Sequence, residues 1–279
     1  MTDEAERQAT RYDAMAEGYA RWWAPVLAPS ALALLDRLDV AVAAGAREVV
    51  DVGVGTGNLA LPAIRRWPSL RVTGIDASSE MAAAARTIAA DLPDDEQERF
   101  DARVGFAADL PFGDMTFDLA MSSFVLQLVP SRAKALREIR RVLRPGGVLG
   151  HVTWLADRSV FAPDRIFDAL LLEFGFEDEI GAPRHGDIPS VASAAAELRR
   201  AGFRAVTAEG AELRHAYTVA SYISFLTEFD EVSLFQDEMG RAERRRFLAR
   251  LREGLMGLPE DDLVLRAPIV YATGVRSGG

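Results

Sequence analysis

Val49-Val-Asp-Val-Gly-Val-Gly-Thr-Gly57 is a short apolar run that closes on three alternating glycines. The run reads as a buried strand over Glu48–Val52. The glycines read as a tight turn in which the backbone can approach a ligand closely. A helical pattern over 58–67 follows, and Arg71-Val-Thr-Gly-Ile75 reads as a second strand. An alanine-rich helix over 78–91 leads to strand candidates at 102–106, 117–121 and 147–153, with an amphipathic helix over 131–143 before the last of them. Strands alternating with helices of this length predict βαβ units in a parallel, doubly wound α/β sheet of the Rossmann-like kind. Right-handed crossovers then gather the strand C-terminal ends on one edge, where ligands of such folds bind.

Outside this core the pattern is less regular. Residues 11–40 read as helices interrupted by Pro25 and Pro29. Beyond 155, helices are expected at 163–175, 189–201, 218–229 and 241–256, with strands at 204–208 and from Leu263 through Thr273. The helical stretch between those last two strands exceeds an ordinary connection and predicts a cap over the ligand-binding edge. The expected organisation is one structural domain: N-terminal lid helices over 1–40, the ligand-binding core over 41–155, and the rest of the sheet with its cap over 156–279.

Two ligand classes use a glycine turn after a first strand: dinucleotides and S-adenosylmethionine. The spacing Gly53-x-Gly55-x-Gly57 places Asn58 where a dinucleotide fingerprint has its third glycine. Asp51, at the strand end, would repel a pyrophosphate but suits an ammonium group. No Lys or Arg lies in the loop to offset phosphate charge. Asp76, in Gly74-Ile-Asp76, can accept from ribose hydroxyls in either class, or cap the helix that follows. Asp109, in Ala107-Ala-Asp-Leu-Pro-Phe112, can accept from an adenine amine with Leu110 covering the ring, or serve as a turn aspartate.

These elements, with Phe117-Asp-Leu-Ala-Met-Ser-Ser-Phe-Val-Leu-Gln-Leu-Val-Pro130 and Arg141-Val-Leu-Arg-Pro-Gly-Gly-Val-Leu149, resemble class I S-adenosylmethionine-dependent methyltransferases over roughly residues 45–155. The likeness is greatest to the small-molecule branch that includes the ubiquinone and menaquinone C-methyltransferases. The resemblance implies a seven-stranded sheet whose last strand is antiparallel. It implies Asp51, Gly53 and Gly55 at the methionine part, Asp76 at the ribose, and Asp109 with Leu110 at the adenine. Ala77 and Met81 match positions that pack on the nucleoside, and Ser122 one whose backbone faces the methionine amino group. Tyr12-Asp-Ala-Met-Ala-Glu-Gly-Tyr19 resembles the lid helix of that branch, with Tyr12 and Tyr19 on one face. Where relatives carry Leu-His-His-Val-Pro, this chain has Leu126-Gln-Leu-Val-Pro130, which puts any role of those histidines in doubt and leaves Gln127 as a contact candidate.

Methyl transfer needs a general base only if the acceptor must lose a proton. His151, His185 and His215 are the base candidates, each balanced against an ordinary packed or surface role, and Gln127 is a further catalytic candidate as a contact to cofactor or acceptor. Most cap aromatics have core spacing, and any surplus would make an apolar or aromatic acceptor pocket for a small molecule. No histidine pair has metal-ligand spacing and no Gly-x-Ser-x-Gly elbow is present, so neither metal nor covalent intermediate is expected. The two competing expectations are a protein that binds S-adenosylmethionine without transferring its methyl, and a nicotinamide-dependent oxidoreductase.

Bulk properties narrow the classes further. A 279-residue chain with 49% hydrophobic and 27% charged residues is long enough for a large core. A formal charge of −10 disfavours nucleic acid as a partner, and the paired arginines sit on helix-like stretches that read as solvated faces. The absence of cysteine removes disulfides and thiolate chemistry. With no apolar signal core at the N-terminus and no membrane-length apolar run, a cytoplasmic location is expected. Acceptor identity and oligomeric state are not legible.

Overall fold

The computed structural model describes residues 3–157, 159–176 and 186–278. In chain order these form α1 (Asp3–Trp22), α2 (Ala24–Asp36), α3 (Asp39–Ala43), β1 (Glu48–Val52), α4 (Ala60–Arg66), β2 (Arg71–Asp76), α5 (Ser79–Ala89), α6 (Asp94–Gln97), β3 (Phe100–Val104), β4 (Phe117–Ser123), α7 (Arg132–Val142) and β5 (Leu143–Trp154). Then follow α8 (Ala162–Phe174), α9 (Val191–Arg200), β6 (Phe203–Ala216), α10 (Val219–Phe225), α11 (Arg241–Met256) and β7 (Val264–Arg276).

The sheet has seven strands in the order β3-β2-β1-β4-β5-β7-β6. β1 pairs parallel with both β2 and β4, β2 with β3, and β4 with β5. β7 enters antiparallel to β5 with Val148 opposite Val275 and Trp154 opposite Ile269. This is the doubly wound sheet with an antiparallel last strand that was expected. Its winding reverses between β1 and β4, so the glycine turn after β1 opens at the switch point, where a ligand crevice forms.

The apolar spacing of α7 explains its docking. Ala135, Leu136, Ile139 and Val142 recur every three or four residues and are buried against β4 and β5 together with Ala120, Leu143 and Leu149. Each large side chain buried there contributes about 1.5–3 kcal/mol. On β5, a Cβ at Gly150 would lie 2.6 Å from Leu38 Cδ2, so the glycine lets Leu34 and Leu38 pack directly on the strand.

The N-terminal helices differ from expectation in detail. α1 begins at Asp3, well before residue 11. Pro25 occupies the first turn of α2, where its missing N–H costs nothing, and Pro29 lies inside the helix without ending it. The break between α1 and α2 falls at Trp23, before the first proline.

The described residues fall into two compact units. One comprises residues up to 156 with 186–211 and 268–278; the other comprises the described part of 157–184 with 212–267. Strands β6 and β7 each contribute one part to each unit. The second unit has its own aromatic centre. Phe247 meets Phe167, Phe174 and Phe235 edge-on at 5.1–5.7 Å. Tyr222 is buried among Phe161, Tyr217 and Phe225, and its hydroxyl donates to Asp164 Oδ1 at 2.6 Å. Two π-helical turns, Leu226–Asp230 and Leu234–Glu238, sink Leu226, Leu234 and Phe235 into the interior. The aromatic spacing of this stretch is therefore spent largely on its own core.

Candidate functional site

The turn after β1 is held by the neighbouring strand. Gly53 N–H and Val54 N–H both donate to the Ile75 carbonyl, at 2.7 and 2.9 Å. Gly53 has φ +79°, and a Cβ there would run into the Val125 side chain, with Val125 Cβ at 2.7 Å. Gly74 on β2 plays the matching part, since its Cβ would lie 2.6 Å from Val54 Cγ2. The glycines thus press the turn between the β2 end and the loop after β4.

Asp76 connects this turn to the next helix. Its Oδ2 accepts from Gly55 N–H at 2.8 Å and its Oδ1 from Ser78 N–H at 2.9 Å. The residue that caps α5 is Ser78, whose hydroxyl accepts from Met81 N–H at 3.0 Å, so Asp76 is not consumed as the helix cap. Burial pushes the Asp76 carboxyl above its ordinary range, against the pull of the Ser78 and Gly55 amides. Two carboxylate oxygens offer about four acceptor sites, so lone pairs remain for a ligand.

Asp51 is in a different condition. It is 1% exposed, and neither carboxylate oxygen has a hydrogen-bond partner. Burial first, and the Asp76 charge second, push its pKa well above the ordinary range. The Ala60 amide opposes that shift without reaching hydrogen-bond geometry. An unpartnered buried carboxylate costs stability unless something of opposite charge approaches it.

A cavity opens above this turn. Its walls include Gly53, Gly55, Asp76, Ala77, Met81 and Asp109, with Tyr12 and Tyr19 contributed by α1. The two tyrosine rings meet edge-on at 6.0 Å. Burial raises the Tyr12 hydroxyl to about 12 and the Tyr19 hydroxyl higher still, so both are protonated at neutral pH.

Three predicted residues sit behind the wall. Asp51 lies beneath the glycine turn. Leu110 is 3% exposed and packs in the core between β4 and α7. Ser122 is fully buried and its hydroxyl donates to the Val52 carbonyl at 2.7 Å. Alternation along the chain turns its neighbour Ser123 toward the cavity instead. Phe106, Ala107 and Ala108 line the cavity beside Asp109, where Leu110 was expected.

The catalytic candidates stand apart from this wall. His151 lies on β5 between Ser122 and Ala272, buried, with Nδ1 unpartnered. Burial, then the Arg132 charge, lower its pKa to about 4, so the ring is neutral near pH 7. Gln127 is also buried; it donates to the Phe124 carbonyl at 2.7 Å and accepts from Thr153 Oγ1 at 2.5 Å. Neither residue lines the cavity. His185 lies outside the described residues.

Several lining residues had no sequence signal. Phe124 takes a left-handed φ of +56°, a costly conformation for a bulky residue, and its ring meets Trp154 at a 43° tilt with centroids 4.4 Å apart. Asn58 faces the cavity while its amide donates to the Ala24 carbonyl at 3.0 Å, tying the turn to α2.

Asp109 is presented by a clamp on α7. Arg141 donates to the carbonyls of Leu110 (3.1 Å) and Phe112 (2.8 Å) and to Asp114 Oδ1 (2.8 Å). Glu138, paired with Arg141 at 2.8 Å, accepts from Leu110 N–H at 3.1 Å. Replacing Arg141 with Ala is expected to cost about 1–3 kcal/mol, because it strips charge-assisted partners from two carbonyls. Hydrogen exchange should accelerate over 107–112 while β1 stays protected; an unchanged loop would show the clamp to be idle.

Comparison with known proteins agrees with this architecture. A methyltransferase domain model matches residues 50–150. This part of the chain is similar to methyltransferases. Its relatives include a trans-aconitate 2-methyltransferase from Azoarcus sp. (strain BH72), 41% identical over 104 residues, which cover 37% of this chain and 38% of that one. A ubiquinone/menaquinone biosynthesis C-methyltransferase, UbiE, from Dinoroseobacter shibae is 33% identical over 152 residues, covering 53% and 54%. The chain spans between about a third and two thirds of the length of the curated relatives it matches. Among solved structures, the YcgJ protein from Bacillus subtilis aligns with a TM-score of 0.55 at 20% identity, over 86% of this chain and 97% of that one. The [4+2]-cyclase SpnF aligns at 0.53 and 22%, over 84% and 76%. At such identities the structural likeness speaks for the fold of the methyltransferase domain and the strands around it. Among the described residues no helix is long and apolar enough to cross a membrane.

Proposed function

We propose that this protein transfers the methyl group of S-adenosylmethionine to a small apolar or aromatic acceptor. The observation that carries the reading is the state of Asp51: a buried carboxylate without a partner, directly beneath the glycine turn and electrostatically coupled to Asp76. Such a site attracts a cationic ligand and repels a pyrophosphate, which disfavours a nicotinamide cofactor.

The residues present fit the cofactor. Asp51 would compensate the ammonium group, directly or through water, and Gly53 and Gly55 would let the methionine part lie against the backbone. Asp76 would accept from the ribose hydroxyls and Asp109 from the adenine amine. Ala77, Met81 and Phe106 would pack on the nucleoside. The bound cofactor supplies an electrophilic methyl on a cationic sulfur whose departure needs no proton. The chain's own contribution is then alignment and the exclusion of water. Tyr12 and Tyr19 act as protonated, ring-bearing walls rather than bases. With His151 and Gln127 off the cavity wall, an acceptor that needs little help in losing a proton suits the site best. The apolar surfaces of Leu27, Phe124, Val125 and Leu128 favour an apolar acceptor.

Titration calorimetry tests the cofactor. Wild type is expected to bind S-adenosylmethionine and its demethylated product, and Asp76→Ala to lose about 1.5–3 kcal/mol of that binding, on the order of 10- to 100-fold. Absence of binding by either compound to wild type would overturn the reading, and tight NADH binding would replace it. Binding with no transfer across a broad acceptor panel would identify a non-methylating use of the same cofactor.

A further inference from the structure

Helix α1 forms part of the cavity wall but buries little of itself. Of its described side chains only Ala16 falls below 9% exposure. A helix with so few fully buried side chains relies more than most on individual polar ties to stay docked. Asp13 makes such ties. Its Oδ1 accepts from Ser78 Oγ at 2.6 Å and from Glu80 N–H at 3.1 Å, with Ser79 Oγ at 3.5 Å. The carboxylate thereby sits at the N-terminus of α5, where unpaired amides and the helix dipole favour an anion.

Ser78 is the joint. It is fully buried and bonded on three sides: its N–H donates to Asp76 Oδ1, its hydroxyl donates to Asp13, and that hydroxyl accepts from Met81 N–H. Asp76 reaches on to Gly55 through its other oxygen. One continuous chain of bonds therefore joins α1, the N-terminus of α5, the proposed ribose acid and the glycine turn.

We propose that Asp13 is a positioning residue that latches α1 over the cavity through Ser78, so that lid closure and the set of Asp76 are coupled. It rests on the reading of the cavity as an adenosyl site, but the latch itself exists without ligand. Anything that fixes Asp76 against Gly55 and Ser78 also steadies the acceptor of Asp13, and opening of α1 loosens the turn that carries Asp76. Coupling of this kind is reciprocal: the closed lid tightens ligand binding by the factor by which ligand favours closure.

The test uses the full-length chain and S-adenosylhomocysteine. In Asp13→Ala, hydrogen exchange over residues 5–19 in the ligand-free protein should accelerate about 10- to 100-fold, the fold-change equivalent of one or two lost charge-assisted bonds. Amides of β1 and β4 should keep their wild-type protection. S-adenosylhomocysteine should bind more weakly, by up to a similar factor. Asp13→Asn keeps an acceptor oxygen and should recover much of both effects, which a role for the negative charge alone would not predict. Unchanged exchange over α1 in Asp13→Ala would overturn the latch. So would acceleration that spreads to β1 and β4 in both variants, since Asp13 would then support the whole fold. If wild type fails to bind S-adenosylhomocysteine, the proposed function falls while the ligand-free exchange still decides the latch.

Discussion

Asp51→Asn is expected to make the ligand-free protein more stable and the cofactor complex much weaker. The carboxylate is buried without a hydrogen-bond partner, so its charge is a standing cost in the empty fold. Asn keeps the volume and removes the charge; relief of an uncompensated buried group is worth about 1–3 kcal/mol, or roughly 2–4 °C in Tm for each kcal/mol in a chain of this class. The sign with pH follows from the raised pKa. Because the folded-state value lies above the unfolded one, the folded chain holds the proton more tightly. Stability is then lost as pH rises from the ordinary carboxylate range through the raised value, and the full cost stands above it. The advantage of the Asn variant should therefore be small at acid pH and grow toward neutrality.

Binding moves the other way. A ligand ammonium enclosed beside a neutral amide keeps its desolvation cost and loses its counter-charge. Breaking such a pair by removing one partner costs about 3–5 kcal/mol, on the order of 10²- to 10³-fold in Kd. Thermal melting with and without S-adenosylmethionine reads both halves at once. A variant that is less stable when empty, or that binds as tightly as wild type, would show that Asp51 is a structural acid.

Gly53→Ala is expected to be the most damaging small substitution in the turn. Two independent penalties coincide there. A left-handed φ of +79° costs an L-residue about 1–2 kcal/mol, and the new methyl would overlap Val125, adding about 1–3 kcal/mol if the loop after β4 has to move. That loop supplies Phe124, Val125 and Leu128 to the cavity, so the damage should extend to cofactor binding. A double-mutant cycle separates the terms: Val125→Gly should recover the steric part in the Gly53→Ala background and leave the backbone part. Near-wild-type melting and binding by Gly53→Ala alone would refute the close approach. Gly55 is a control of a different kind, because its Cβ would meet nothing within 4 Å and only its φ of +52° resists substitution.

What could be read along the chain was local or periodic. Alternation of short apolar runs with helices of three-to-four-residue spacing is set by neighbours in sequence, and it specified the parallel core. The glycine turn, and the acids at 51, 76 and 109, were legible because each lies at or just beyond a strand's C-terminal end, the edge where such sheets bind ligands. Helix α7 and the strands on either side of it fell close to their expected bounds for the same reason.

Tertiary structure decided which way those residues point and what they touch. That Asp51 lacks a partner depends on what packs beneath the turn, which no spacing expresses. Leu110 and Ser122 turned inward because core packing and strand alternation, set by the registers of β4 with β1 and β5, left their neighbours on the cavity side. Phe124 holds a left-handed backbone, against its own preference, while its N–H donates to the Val152 carbonyl at 2.8 Å and its ring packs on Trp154. The Glu138–Arg141 clamp on the Asp109 loop joins residues about thirty apart, and the Asp13–Ser78 latch joins residues 65 apart. A sequence specifies such pairs only by way of the completed fold, because hydrogen bonds over these separations exist only once the sheet has brought their ends together. The proposed methyl-donor site was thus legible in a local motif, whereas the set of its pocket and the Asp13–Ser78 contact belong to interactions that only the folded chain contains.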